Sequence, residues 1–108
     1  MEKIINKVED EDYVQWIEKF VTEVLEYASV RYKEVIIDNI EPNRRIFLLI
    51  DGNEYTIRTW DYHPVGYDDN GEICSEEVEY TLFKITEDEH SAHGEIVNDG
   101  YIRIDWKN

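Results

Sequence analysis

The chain is short of cysteine, of positive charge and of long apolar runs, and each shortage closes off a class of protein. Its one cysteine, Cys74, is too few for an intramolecular disulfide or a Cys-rich zinc site. No stretch approaches the roughly 18 apolar residues that a membrane-spanning helix needs. The start, Met1 to Lys7, has no apolar run of signal-peptide length before the acids at 9–12. The expectation is a soluble, cytoplasmic protein with no membrane role. Lys and Arg number 11 against 26 Asp and Glu, a net charge of -15, which repels nucleic acid and anionic lipid. There is no Gly-x-Ser-x-Gly elbow, no phosphate-binding glycine loop and no dinucleotide fingerprint. These gaps predict a chain that is not an enzyme and uses no cofactor.

What the chain does have is material for a core. Hydrophobic residues make up 42%, with three Trp, eight Tyr and three Phe, far from the aromatic-poor composition of a disordered acidic chain. At 108 residues this suits a single domain, 1–108. Val14, Ile17, Val21, Val24, Leu25 and Ala28 recur at three- and four-residue spacing and predict an amphipathic helix over 10–33, with Tyr13, Trp16, Phe20 and Tyr27 on its flank. Asp12 and Gln15 fit a capping pattern at its start, and Arg31 and Lys33 suit the negative end of its dipole.

The pattern then changes to period two. Short strands are expected at Val35–Ile37 and Arg45–Ile50, separated by a turn at Glu41-Pro42-Asn43. Asp51-Gly52-Asn53 marks a hairpin into Glu54–Tyr62, and His63-Pro64 should end or bend that strand. Asp68-Asp69-Asn70-Gly71 is a second turn, leading into a long strand from Ile73 to Ile85. There Val78, Tyr80 and Leu82 lie on one side, and Glu77, Glu79 and Thr81 on the other. Residues Glu87 to His93 read as a polar loop, and Asn98-Asp99-Gly100 as a turn into a last strand, Tyr101–Trp106. The predicted class is α+β, one N-terminal amphipathic helix packed on an antiparallel sheet of about five strands.

The charge is unevenly spread. Residues 66–99 hold Asp68, Asp69, Glu72, Glu76, Glu77, Glu79, Glu87, Asp88, Glu89, Glu95 and Asp99 against one cation, Lys84. Residues 1–65 hold 14 acids and eight bases. Solubility does not call for that asymmetry, whereas a binding face does. Because the acids sit in strand-like sequence, they are expected on a folded surface, with alternate carboxylates about 6.6–6.8 Å apart along a strand. Such a display matches the charge spacing of nucleic acid. In general character the chain resembles the DNA-mimic proteins of anti-CRISPR or anti-restriction type carried by phages and mobile elements, a likeness of composition alone. It implies a protein-binding inhibitor that blocks a basic nucleic-acid-binding enzyme. The expected partner-binding residues are Asp68, Asp69, Glu72, Glu76, Glu77, Glu79, Glu87, Asp88 and Glu89, with Trp60 and Tyr67 as aromatic anchors.

Other readings use the same residues. An immunity protein or antitoxin against a basic nuclease would have the same surface. A metal-dependent enzyme would use the loop His90-Ser91-Ala92-His93 with nearby acids and His63 as a further ligand. Two histidines three apart in a loop are, however, more often solvated side chains. The run Asp68-x-Asn70-Gly71 with Glu77 overlaps a calcium-loop pattern, but its first position is Gly66, which has no side-chain oxygen, and a hairpin turn explains it. Cys74 lies among Glu72, Glu76 and Glu77, the wrong surroundings for a thiolate nucleophile. Arg44, Arg45 and Arg58 are expected to pair with carboxylates on the sheet. A surface charge that serves solubility alone is the remaining reading.

Overall fold

In a computed structural model, residues 2–9, 11–87 and 91–105 are described, with backbone only over 11–15. Asp88, Glu89, His90 and Trp106 of the sequence reading lie outside that set. The elements are β1 (Lys3–Asn6), α1 (Glu11–Tyr27), β2 (Glu34–Ile40), β3 (Ile46–Ile50), β4 (Asn53–Tyr67), β5 (Ile73–Glu87) and β6 (Ala92–Asp105). They form an α+β fold, with the helix on a six-stranded mixed sheet in the order β1-β2-β3-β4-β5-β6. The strand β1 pairs parallel to β2, and every other pairing is antiparallel.

The helix is shorter than its periodicity suggests, because Ser29 takes a left-handed conformation (φ 57°). The Val30 amide then donates to the Leu25 carbonyl at 2.9 Å and the Ser29 amide to the Glu26 carbonyl at 3.1 Å, a Schellman cap. Arg31 and Lys33 therefore fall past the end rather than in the last turn, and Asp12 lies inside the first turn. The strand β1 was not foreseen. Four residues of mixed polarity carry no alternation, and only their pairing with Lys3↔Glu34 to Asn6↔Ile37 makes them a strand.

One face of the sheet meets the helix. Ile17, Phe20, Val21, Val24 and Leu25 pack on Val35, Ile37, Ile46, Leu48, Ile57, Val78, Tyr80, Leu82, Ile102 and Ile104, all essentially sealed from solvent. Each apolar strand position alternates with one on the opposite face, and among the described residues no second layer covers that opposite face.

Two long strands differ from expectation. The strand β4 continues through His63-Pro64 to Tyr67, with Trp60 and Val65 bulged out of register. Because β3 pairs with β4 only as far as Ile57, the upper half of β4 has a neighbour on one side alone, and proline is tolerated on such an edge. The strand β6 runs straight through Asn98-Asp99-Gly100, where a turn was expected, and its start absorbs Ala92 and His93 of the expected loop. Continuous pairing with β5, broken only by a bulge at Val97, overrides the local turn preference.

The open sheet face as candidate functional site

The uncovered face is built from β4, β5 and β6 in register. Asp61 pairs with Glu79 and Glu79 with Tyr101, while His63 pairs with Glu77 and Glu77 with Arg103. Arg58 pairs with Thr81, and Thr81 with Asp99. Paired residues share a face, so Asp61, Glu77, Glu79 and Asp99 are drawn onto one surface. The Tyr101 hydroxyl donates to the Glu79 carboxylate, and that bond raises the tyrosine pKa, helped by the charges of Glu79, Glu77 and Asp61. These carboxylates therefore share one face with a phenol. The bulge places Trp60 on the same face as Asp61, where its Nε1 donates to Thr81 Oγ1 at 2.8 Å. Trp60 and Tyr101 are 50% and 56% exposed, two aromatic surfaces among acids.

Counter-charges are close by. Asp61 meets His63 Nε2 at 2.9 Å and Asp105 meets Arg103 Nε at 3.2 Å. Asp105 also accepts from Ser75 Oγ at 2.6 Å, and first that bond, then the one from Arg103, lowers its pKa. The three arginines expected to pair with carboxylates all lie against aromatic rings. Arg44 lies 4.8 Å from the Trp16 ring and 4.3 Å from Tyr62, Arg45 lies 5.4 Å from Phe47, and Arg58 lies 4.3 Å from Trp60. Farther along the same face is a groove of about 830 Å³ with Phe47, Leu49, Phe83 and Ile85 in its lining.

The expected binding residues are not all on this surface. Glu77 and Glu79 are. Glu76 sits on the helix-covered face, opposite Ile104 in register and near Tyr62, whose pKa is raised first by burial and also by the Glu76 charge. Asp68, Asp69 and Glu72 form the β4–β5 turn, and Asp68 Oδ1 accepts from the Asn70 and Glu72 amides at 2.9 Å each. Asp68 thus builds the turn, and Gly71 has the positive φ (80°) that the turn requires. Glu87 ends β5 at the far end, about 46 Å along the strand from Ile73. Tyr67 pairs with Ile73 near the turn, about 20 Å from Trp60, so the two aromatics are not one anchor. Asp88 and Glu89 lie outside the described residues. Asp61, Asp99 and Tyr101 went unforeseen, since only the register across three strands brings them beside Glu79.

His63 and His93 do not converge, and His90 lies outside the described residues. His63 is level with Glu77 and His93 with Thr86, about 30 Å apart along β5, too far to share a metal ion. Among the described residues no group of three or more His, Cys, Asp or Glu side chains is disposed to hold one. No described helix is long and apolar enough to cross a membrane. Comparison of the chain with protein-family models, curated proteins and solved structures finds no match.

Proposed function

We propose that the protein is a non-enzymatic inhibitor that presents its open sheet face to a basic, nucleic-acid-binding enzyme. The observation that carries this reading is the strand register, which puts Asp61, Glu77 and Glu79 on one face with Tyr101, with Trp60 exposed beside them. Glu77 and Glu79 lie about 6.6–6.8 Å apart along β5, with carboxylates on strands about 4.7–4.9 Å to the side. Such an array suits the lysines and arginines of a groove that otherwise holds phosphates. Exposed aromatics supply the desolvated contacts that hold a complex together, while the charges steer its formation.

The test is capture on the tagged protein from lysates of the source organism and its host, at 50 and 300 mM salt. A nucleic-acid enzyme should be retained at low salt and released at high salt. The Glu77→Lys/Glu79→Lys variant should weaken that complex at least about thirtyfold, ~2 kcal/mol. A control with Glu2→Lys, Glu9→Lys and Glu18→Lys should change it little. Equal losses from the two sets would overturn the localised face. If the captured enzyme is a nuclease toxic to cells lacking this chain, the inhibitor is an immunity protein or antitoxin.

A further inference from the structure

The strand β6 closes one side of the sheet, and among the described residues no strand pairs with its outer edge. Natural sheets blunt such edges with lysine, proline or a covering segment, because unpaired backbone groups invite another strand. The 14 residues of β6 include neither lysine nor proline. Its bulge is confined to Val97, so Asn98 to Asp105 follow a regular register.

The surroundings of that edge select what can pair with it. On the helix side, Tyr27 lies over the strand, and a Cβ at Gly100 would stand 3.2 Å from Tyr27 Cε1. Glu23, Glu26 and Tyr27 line a crevice of about 400 Å³ with Tyr101, Ile102 and Arg103. On the open side, Glu79 and Asp99 flank Tyr101. Arg103 is held by Asp105. Among the described residues Glu23, Glu26, Glu79 and Asp99 form no ion pair. Carboxylates thus border both faces of an open strand edge, with Tyr27 on one face and Tyr101 on the other.

We propose that an extended basic segment of the partner protein adds to the outer edge of β6 as a seventh strand, opposite residues 98–104. This rests on the reading above that the partner is basic, and it specifies how that partner is held. Backbone hydrogen bonds would supply the pairing. Consecutive side chains of an added strand fall on opposite faces, so adjacent lysines or arginines would reach Glu23 and Glu26 on one side and Glu79 and Asp99 on the other. A second copy of this chain is the poorer occupant. It would set these same acids against each other, between molecules of net charge -15.

The probe is a blocked octapeptide, Thr-Lys-Lys-Val-Lys-Lys-Val-Thr, added to the full chain at 50 mM salt and followed by amide hydrogen exchange. Protection should appear at residues 98–104 and leave β2 and β3 unchanged. The Glu23→Lys/Glu26→Lys variant, altered only at exposed helix positions, should bind the peptide at least tenfold more weakly while keeping its circular dichroism. Absence of binding, binding without protection of 98–104, or equal affinity for the variant would overturn the edge addition. Protection of 98–104 that grows with chain concentration and no peptide would also overturn it, by naming a second copy as the occupant. These results are separable from the open-face reading, which fails if no basic partner is captured, if Glu77→Lys/Glu79→Lys leaves the captured complex intact, or if the control set weakens it equally.

Discussion

Phe20 is completely buried, stacked on Trp16 at 4.9 Å and edge-on to Tyr80 at 6.3 Å. Removing its ring in Phe20→Ala should cost about 3–5 kcal/mol, read as a fall in the urea midpoint. That is a large part of the ~5–15 kcal/mol expected for a domain of this kind. Tyr80 makes a second prediction. Burial pushes its pKa up to about 12, with the tyrosine at 27 and Asp99 adding to the shift, and its hydroxyl accepts from Asn98 Nδ2 at 3.0 Å. A raised phenol pKa means that the unfolded chain loses its proton first. This contribution to stability is therefore complete below pH 10 and falls away as pH rises toward about 12. Urea unfolding across that window should show the loss, and Tyr80→Phe should flatten it. Alternation alone placed Tyr80 toward the core, between Val78 and Leu82. The helix pattern left Trp16, Phe20 and Tyr27 together on a flank. The structure divides them, sealing the first two and leaving Tyr27 63% exposed, because the sheet beneath the helix decides which flank is covered.

The β3–β4 hairpin turns on Asp51 (φ 48°) and Gly52 (φ 84°), both left-handed, as a two-residue turn between twisted strands demands. The Asp51 carboxylate also accepts from the Lys33 and Glu34 amides, at 3.0 and 2.9 Å through Oδ1, so the turn anchors the entry to β2. A Cβ at Gly52 would meet nothing within 4 Å, so Gly52→Ala should cost only the left-handed backbone, about 1–2 kcal/mol. A thermal melt should register it as a drop in Tm of roughly 4–8 °C per kcal/mol. This turn and the one at Asp68–Gly71 were legible from composition. Asn98-Asp99-Gly100 has the same composition and is not a turn, because β5 continues beside it and pairs Thr81 with Asp99 and Tyr80 with Gly100. Local chemistry proposes a turn, and a long partner strand can refuse it. The four residues of β1 show the converse, a strand with no signal of its own that exists through its pairing with β2.

The molecule is elongated, 55 × 27 × 26 Å, and strands of 14 or 15 residues account for the long axis. Along it the carboxylates lie on both faces and at both ends of the sheet, so the net charge of -15 repels itself in every direction. Screening reaches about 10 Å at 0.1 M salt. Raising NaCl from 20 to 200 mM should therefore raise the urea midpoint of the free protein. The same change should weaken the proposed complex with a basic partner. Opposite signs for folding and binding are the expected signature, and a salt-independent complex would point to an apolar interface. The excess of acids over 66–99 was plain in the sequence. Their division between surfaces was only half plain, since period-two alternation already parts Glu76 from Glu77 and Glu79.

The helix, its apolar stripe, the β3–β4 and β4–β5 turns and the alternation of β5 can be read along the chain, because each rests on contacts a few residues apart. Which acids meet depends on long-range pairing. Asp61, Glu79 and Tyr101 come from three strands, and their meeting depends on the Trp60 bulge and on β6 running through a turn-like sequence. A shift of one residue in either pairing would turn Asp61 or Tyr101 to the helix-covered face. No local pattern sets that register; the packing of the buried face against the helix does.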